Sequence, residues 1–386
     1  MKPDATNACG DEPAQDESAR QPIVLSTRVR LARNLNNHVF PERASQTQQQ
    51  AVVALCAEAL RKVPGLEKGV LHCIDKLNTI ARNRLVERHL ISRELANGKN
   101  SAVFISQNST CSIMINEEDH LRIQIVHRGL QLMRAWEQAN KVDCALDGIL
   151  DIAFSSKYGF LTACPSNLGT GLRASVMLHL PGLVISEQME KVFRAVNHDG
   201  LTVRGWLGEG SEANGSIFQI SNQYTLGASE EDILKHLTHW LDEIIRQENN
   251  ARYNLLGKAP EKFFDQVSRQ LALLRHARLI SSAEAMGALS MVRFACDVGM
   301  LPGIFRFLVD RLLIEVQPAH VLATPQQRAS ARFRDGKRAA ILRKVFGSFP
   351  EPNFDILSSG ASSQGGKREK VPGKTPSKRK PGKGKA

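Results

Sequence analysis

Strand-like patterns stop abruptly along this chain: none follows residue 254, and helical patterns fill the remainder up to about residue 349. Before that point, helical stretches separate the strands irregularly, without the regular βαβ rhythm of a doubly wound sheet. The predicted strands are residues 24–31, 101–105, 111–115, 121–127, 173–180, 202–206 and 216–220. We therefore expect an α+β fold with a largely antiparallel sheet flanked by helices, followed by a small all-helical domain.

Capping residues mark the helix ends and so the domain limits. Ser229 and Ser281 each have an acidic residue three positions later, which is the capping-box pattern of a helix start. Thr324, with a proline behind it, predicts the start of the last of four C-terminal helices, which Gly347 ends. The predicted domains are residues 21–254 and 258–350, with separate ends at 1–20 and 351–386.

Composition favours a globular protein with two polar ends. Hydrophobic residues make up 42% and charged residues 23% of the 386 residues, both near globular averages. Residues 1–20 and 351–386 are polar and aperiodic, so both ends are predicted to be disordered. Nine Lys or Arg and one Glu within 361–386 account for +8 of the formal charge of +12. The body therefore needs no nucleic-acid-coating surface, although contact of the tail with nucleic acid stays an open alternative.

Cysteine usage and the lack of an export signal favour a cytoplasmic protein. The seven cysteines are an odd number with no Cys-x-x-Cys spacing, which argues against a disulfide scaffold and a structural zinc site. The first 20 residues carry five acidic residues and no apolar segment. No apolar run approaches the ~18 residues that span a bilayer, so we expect no membrane contact.

Four segments combine arginine, carboxylate and glycine in patterns that suit phosphate chemistry. Arg28 and Arg30 lie two apart on a predicted strand and so project to one face, and the same alternation predicts that Glu118 and Arg122 share a face. The other two segments are glycine-containing loops, residues 164–175 and 204–210. Taken singly, each segment has a structural alternative, such as an exposed edge strand, a solvated turn or a buried cysteine. Together they suit phosphoryl transfer, in which positioning and charge neutralisation do most of the catalysis.

These segments resemble, in order, the signature motifs of the ATP:guanido phosphotransferases. The matching stretches are STRVRLARN, NEEDHLRIQ, CPSNLGTGLRASVMLHLPGL and RGWLGEGSEANGSIFQISNQYTLG. Within that family the chain is similar to the McsB-type protein-arginine kinases of bacteria, from about Ile23 to Leu256 and more weakly to about Gly347. The resemblance implies a phosphagen-kinase-like catalytic domain that uses MgATP to phosphorylate a guanidinium.

The resemblance also implies roles for individual residues. Glu118 and Glu209 would hold the acceptor guanidinium, Cys164 would lie against it, and His89 would lie by the nucleotide base. The implied ATP-binding positions are Ser26, Thr27, Arg28, Val29, Arg30, His89, Arg122, Arg173, Ala174, Ser175, Val176, Met177, Arg204, Gly205, Trp206, Leu207, Gly208 and Glu209. Magnesium would be held mainly by the nucleotide phosphates, with no metal ligands from the protein.

The chemistry explains why such residues are needed. A guanidinium has a pKa above ~12 and delocalised lone pairs, so it is a poor nucleophile until carboxylates orient it and take up a proton. A thiolate stabilised by positive surroundings adds to the electrostatics.

The function of the chain has three interpretations, two of which differ in the acceptor. By resemblance, kinases of free guanidino amino acids carry an additional N-terminal helical domain that closes on the small substrate, whereas only 22 residues precede Ile23 here. We therefore expect arginine side chains of proteins as acceptors. A free-arginine kinase is the first alternative, and a non-catalytic scaffold that binds acidic partners through its Lys-rich tail is the second.

The segment Arg334-Asp335-Gly336-Lys337-Arg338-Ala339 resembles the RDxxRA element of the McsB-type proteins. On a helix, Arg334 and Arg338 form a repulsive i,i+4 pair unless an anion lies between them. The resemblance implies an allosteric phosphoarginine site at Arg334, Asp335, Arg338 and Ala339, and the alternative is a solvated basic helix face. It further implies a homodimer, an McsA-type activator, marking of substrates for Clp-type proteases and relief of heat-shock repression.

Overall fold

A computed structural model describes residues 22–206, 214–258, 260–322 and 330–355 of the chain. The strands are β1 Val24–Arg33, β2 Val70–Cys73, β3 Ala102–Ile105, β4 Cys111–Ile115, β5 Leu121–Arg128, β6 Phe154–Ser155, β7 Gly159–Phe160, β8 Leu172–His179, β9 Leu201–Gly205 and β10 Ile217–Asn222. The helices are α1 Gln46–Leu60, α2 Thr79–Glu87, α3 Arg93–Asn97, α4 Leu132–Asp147, α5 Pro181–Ile185, α6 Met189–His198, α7 Glu230–Lys258, α8 Pro260–His276, α9 Ser282–Asp297, α10 Phe305–Glu315 and α11 Ala331–Phe346.

One eight-stranded sheet forms the centre of the protein, in the order β2-β3-β4-β5-β1-β8-β10-β9. Its neighbouring strands are all paired antiparallel. Strands β6 and β7 form a separate small hairpin. The predicted fold class, an antiparallel sheet with flanking helices followed by a helical part, is confirmed.

Alternation along the central strands gives the sheet one apolar and one polar face. On β1, Val29 and Leu31 are fully buried in the main core, and helices α4 and α7 contribute buried side chains to the same core. Because successive side chains point to opposite faces, Arg28 and Arg30 project away from that core. The apolar face therefore anchors the sheet, and the opposite face is available for charged groups.

A second core lies among the C-terminal helices α8 to α11 and reaches back to the sheet. Its buried members include Met177 of β8, Ile217 of β10 and Trp206 after β9. The helical part is therefore packed directly on the end of the sheet that carries β8, β9 and β10.

Helix boundaries differ from the sequence prediction at two places. Helix α7 continues through Asn254 to Lys258, so the position where the strand patterns stop lies inside a continuous helix. The helix that ends at Gly347 begins at Ala331 with Ser330 as its N-cap, and Thr324 lies outside the described residues. The Ser281 capping box is present as predicted. Of the predicted end segments 1–20 and 351–386, residues 1–20 and 356–386 lie outside the described residues. Residues 351–355 are described, and the Asn353 N–H donates to the Met300 carbonyl oxygen at 2.8 Å.

Within the described ranges, no helix combines the length and the apolar character needed to cross a membrane.

Candidate active site

The five arginines singled out in the sequence lie on one face of the sheet. Across the β1–β8 ladder Arg30 pairs with Arg173, and across the β1–β5 ladder Arg122 pairs with Ala32, two positions from Arg30. Arg204 of β9 pairs with Gln219 of β10. Since paired positions share a face, the strand register gathers Arg28, Arg30, Arg122, Arg173 and Arg204 on the polar side.

Arg28 and Arg30 are positively charged groups buried among other arginines. Arg28 donates from Nη2 to Oε1 of Gln219 at 2.5 Å. Burial, together with repulsion from Arg122, Arg173 and Arg204, lowers the pKa of Arg28 to about 10. Burial, followed by repulsion from Arg28, Arg122 and Arg173, lowers the pKa of Arg30 well below its usual value. Such a cluster stabilises an anion that is brought among its members.

Arg30 provides an observation that points to a ligand. Its Nε and Nη2 atoms are buried and have no hydrogen-bond partner within the part of the chain that the structure describes. Buried guanidinium nitrogens are normally paired, because an unmade hydrogen bond to a charged group is costly. Phosphate oxygens would fit these nitrogens, so the residues present suit the ATP phosphates.

Arg122 forms an ion pair with a carboxylate of the neighbouring turn. Its Nη1 lies 2.7 and 2.6 Å from the two carboxylate oxygens of Glu117, whose side chain is 2% exposed. Burial lowers the pKa of Arg122, but the attraction of Glu117 outweighs burial and the net pKa is raised. Glu118 lies in the turn before β5, which starts at Leu121, so strand alternation does not extend to it, yet Arg122 still attracts its carboxylate.

His89 and Trp206 form the aromatic end of the site. Their ring centroids are 4.9 Å apart in an edge-to-face arrangement. His89 has a positive φ of 58°, and Gln124 holds it by donating from Nε2 to its carbonyl oxygen at 2.8 Å. Burial, and secondarily Arg28, lower the pKa of His89 to about 3, so the ring is neutral. Two neutral rings beside the arginines are suited to a nucleotide base.

Glu118 and Cys164 meet at the other end of the site. The Glu118 carboxylate interacts with the Cys164 thiol, which also lies 3.0 Å from the Ser166 hydroxyl. Burial raises the pKa of Glu118 above its usual value, against the opposing attraction of Arg122. A carboxylate with a raised pKa is a better proton acceptor, which suits a group that must take a proton from a guanidinium.

The remaining predicted positions fall into three groups. Ser26, Ser175 and Met177 share the arginine face through their register positions, and Gly205 follows Arg204 at the end of β9. The side chains of four others belong to the opposite, buried face and can reach a ligand only through the backbone: Thr27, Val29, Ala174 and Val176. Leu207, Gly208 and Glu209 lie outside the described residues. The second carboxylate of the predicted pair therefore stays a prediction.

Sequence reasoning missed Glu117, Asn34 and Asp119. Asp119 is 2% exposed and accepts from Asn34 Nδ2 at 2.6 Å and from the Ala163 N–H at 2.7 Å. Glu117 and Asp119 flank the predicted Glu118, and this run of acidic residues was the signal in the sequence. Asn34, the partner of Asp119, is 85 positions away, and only the fold brings it close.

The proposed phosphoarginine residues lie on α11, and Arg338 is not on a solvated face. Its side chain is 1% exposed, and it donates to the carbonyl oxygens of Val316 at 2.7 Å and Ile280 at 2.8 Å. It also pairs with Asp335 at 2.6 Å. The repulsion between Arg334 and Arg338 is thus compensated inside the protein, so that ground for an anion between them does not hold. Binding of phosphoarginine here stays a prediction.

The described ranges contain no group of three or more His, Cys, Asp or Glu side chains that could hold a metal ion.

Comparison with known proteins agrees with this geometry. Residues 51–251 match the family model of the ATP:guanido phosphotransferase C-terminal catalytic domain, and residues 260–356 match that of the protein-arginine kinase McsB C-terminal domain. The chain is 43% identical over 328 residues to a protein-arginine kinase of Brevibacillus brevis, which covers 83% of this chain and 91% of that protein. It is 42% identical over 335 residues to a protein-arginine kinase of Pelotomaculum thermopropionicum, covering 85% and 93%.

A solved structure shares the fold. The substrate-free duplicated taurocyamine kinase of Schistosoma mansoni aligns with a TM-score of 0.54 at 23% identity, over 69% of this chain and 42% of that chain. With an arginine-lined sheet face, a carboxylate beside a thiol and both family models matched, this chain belongs to the ATP:guanido phosphotransferase family.

Proposed function

We propose that the protein transfers the γ-phosphoryl group of MgATP to arginine side chains of proteins. The observation that carries the proposal is the arginine face of the sheet beside Glu118 and Cys164, where two buried nitrogens of Arg30 have no hydrogen-bond partner among the described residues. The relatives at 42–43% identity are protein-arginine kinases over most of this chain, which supports a protein-bound arginine as acceptor.

Each group of residues in the site would have its own role in the reaction. Arg28, Arg30, Arg173 and Arg204 would neutralise and align the phosphates, while His89 and Trp206 would hold the base. Bound magnesium would screen phosphate charge and would be held through the nucleotide. Glu118 would orient the acceptor guanidinium and receive its proton, and the Cys164 thiol would fix the opposite edge. Glu209 is proposed as the second carboxylate from its motif alone.

Further parts of the proposal concern the organisation and setting of the enzyme. The catalytic domain would span 21–254 and the helical domain 258–350, with the latter binding phosphoarginine and forming a homodimer. We place the enzyme in the cytoplasm, where arginine phosphorylation would mark proteins for Clp-type proteases and relieve heat-shock repression, with an McsA-type activator as partner. The support is the match to the McsB C-terminal domain.

The decisive experiment compares two acceptors. We expect the purified protein with MgATP to phosphorylate arginines of a folded test protein, detected by mass spectrometry under non-acidic conditions, and to leave free arginine unmodified. Glu118→Gln should bind ATP normally and lose about 10²-fold or more in rate. Cys164→Ala should lose less, because the thiol takes no proton. Glu209→Gln should behave like Glu118→Gln.

A matched control is Glu58→Gln, which removes an exposed carboxylate on α1 that pairs only with Lys62 at 2.8 Å. Its rate should equal that of the wild type. Phosphorylation of free arginine at the same rate as protein arginine would support the free-arginine kinase instead. Absence of transfer to either acceptor would leave the scaffold interpretation.

A further inference from the structure

The part of the site that would bind the acceptor guanidinium is formed by two separate segments. Glu118 lies in the turn between β4 and β5, whereas Cys164 lies in the loop after β7. Neither segment is a rigid element, yet both side chains must meet one guanidinium. Catalytic groups tolerate little misplacement, so something must fix the turn against the loop.

We propose that Asp119, held by Asn34, is a positioning residue that fixes Glu118 against Cys164 and places a second carboxylate beside Glu118. Asp119 directly follows Glu118, and Ala163 directly precedes Cys164. The hydrogen bond from the Ala163 N–H to Asp119 Oδ1, 2.7 Å long, therefore joins the two segments one residue away from each catalytic group.

Asn34 connects this joint to the end of β1. Its Nδ2 donates to Asp119 Oδ1 at 2.6 Å and to the Leu161 carbonyl at 3.0 Å, so one amide group contacts both segments. Its Oδ1 accepts from the His120 N–H at 2.9 Å. Asn34 is 0% exposed, which removes the competition of water from these contacts.

His120 fastens the same turn from its other side. The Leu35 N–H donates to His120 Nδ1 at 3.1 Å, so Nε2 carries the proton and donates to the Val39 carbonyl at 3.0 Å. Burial lowers the pKa of His120, in agreement with a neutral ring. The turn is therefore fixed at residues 119 and 120, and Glu118 is left as the group that faces the thiol.

The charge of Asp119 requires an explanation beyond hydrogen bonding. Burial raises the pKa of Asp119, which shows that the ionised form is disfavoured there, although the contacts with Ala163 and Asn34 oppose the change. An asparagine could accept the same two hydrogen bonds without burying a charge. A negative Asp119 beside Glu118 adds to the effect of burial in raising the pKa of Glu118. The carboxylate thus supplies basicity as well as geometry.

This inference rests on the proposed function for the nature of the acceptor, and two variants separate its two parts. Asp119→Asn keeps both hydrogen bonds and removes the charge. We expect the acidic limb of its rate profile to move to lower pH, since Glu118 loses a negative neighbour, with the Km for ATP unchanged within about twofold. Asp119→Ala removes the joint, and we expect a loss of about 10²-fold in turnover.

A readout independent of activity is alkylation of Cys164 by iodoacetamide, with the exposed Cys144 of the same molecule as reference. In Asp119→Ala the rate at Cys164 relative to Cys144 should change at least about threefold, because the thiol loses its fixed carboxylate partner. In Asp119→Asn it should change less. If the wild type phosphorylated no guanidino acceptor, the proposed function would fail, while this comparison would still decide the role of Asp119.

The matched control is Asp143→Asn, which removes another buried carboxylate, paired with Arg33 at 2.7 Å on the other side of the sheet. It should lower stability without moving the acidic limb or the alkylation ratio. The proposal is overturned if Asp119→Asn keeps the wild-type limb, if Asp119→Ala keeps wild-type turnover, or if Asp143→Asn reproduces both effects.

Discussion

At the scale of single residues, two arginines on one strand show how differently this protein treats buried charge. Arg33 is saturated: it pairs with Asp143, donates to the Ala32 and Thr170 carbonyls, and lies 3.4 Å from the centre of the Phe160 ring. Arg30 is only partly buried, yet its Nε and Nη2 atoms are buried and lack partners within the described residues. Structural arginines are satisfied by the protein itself, so the unsatisfied Arg30 indicates a group that comes from outside.

The contrast predicts opposite outcomes for two matched substitutions on β1. Arg30→Met should weaken ATP binding about 10- to 100-fold, because a charge-assisted hydrogen bond contributes ~1.5–3 kcal/mol. It should leave the melting temperature unchanged or raise it, since it relieves repulsion from neighbouring arginines. Arg33→Met should destabilise by ~3–5 kcal/mol, because Asp143 is left buried without its partner.

Calorimetric titration of ATP and thermal unfolding of both variants check this prediction. If the folded Arg33→Met protein lost as much ATP affinity as Arg30→Met, the two faces of β1 would not differ in function. A large drop in melting temperature for Arg30→Met would show that its unpaired nitrogens have partners in solution.

The sequence predicted which side chains share a face where they alternate along a regular strand. It did not do so where the chain leaves the strand. Arg28 and Arg30 share a face as expected, because both lie within one regular strand. The same rule did not find Glu117 as the ion-pair partner of Arg122, since the turn before β5 does not alternate. Asp119 and Asn34 could not be paired in advance, because sequence patterns carry no information about contacts over 85 residues.

At the scale of elements, strands that pack on the core were predicted better than short edges. The edge strand β2 was missed: its four residues are partly exposed and so lack a buried apolar face. Contacts between distant elements were also out of reach. Glu87 at the end of α2 accepts from the Ala319 N–H at 2.7 Å and from His320 Nδ1 at 2.6 Å. The helical part thereby holds α2, two residues before His89 of the nucleotide end.

Helix α11 carries both arginines of the proposed phosphoarginine site, Arg334 and Arg338, and we expect the two to have different roles. Arg338→Ala should lower the melting temperature strongly, because it leaves Asp335 and the Val316 and Ile280 carbonyls without their donor. Arg334→Ala should lower it less, since Arg334 is only partly buried. If the phosphoarginine proposal is right, Arg334→Ala should also bind free phosphoarginine more weakly by calorimetry while keeping its affinity for ATP. Equal binding by the wild type and Arg334→Ala would contradict a site on this helix.

At the scale of the whole molecule, the two cores meet through a buried network of charges. Arg252 of α7 pairs with Glu248 at 2.6 Å and with Asp297 of α9 at 3.1 Å. Arg293 of α9 pairs with Asp310 at 2.7 Å and lies 3.0 Å from His179 Nδ1 at the end of β8. Sequence patterns located the helices on both sides but not this junction, because its members come from four elements. The helical part is thus bonded to the strand that carries Arg173.

His179 makes the junction sensitive to pH. Arg293 can only donate, so His179 Nδ1 accepts and Nε2 donates to the Ser290 hydroxyl at 2.7 Å. Burial, followed by repulsion from Arg293 and Arg252, lowers the pKa of His179 well below 6.5, although the Asp297 carboxylate lies 4.0 Å away. The folded ring therefore stays neutral at a pH where the unfolded ring takes up a proton.

The sign of the effect follows from this difference in proton uptake. Below pH 6.5 the unfolded state binds one more proton at this position, so its contribution to the free energy of unfolding falls as the pH falls, by at most ~1.4 kcal/mol per pH unit. His179→Gln keeps an acceptor for Arg293 and a donor for Ser290 but cannot titrate. We expect the stability advantage of the wild type over this variant to be constant above pH 7 and to shrink between pH 6.5 and 5.

Urea unfolding of both proteins at several pH values measures that advantage, and the titration of all other groups cancels in the comparison. The matched control is His236→Gln, since His236 is a half-exposed histidine of α7 that lies 3.2 Å from Asp199. Parallel curves for the wild type and His179→Gln would mean that the ring is protonated in the folded protein, and the junction would then not respond to pH through His179.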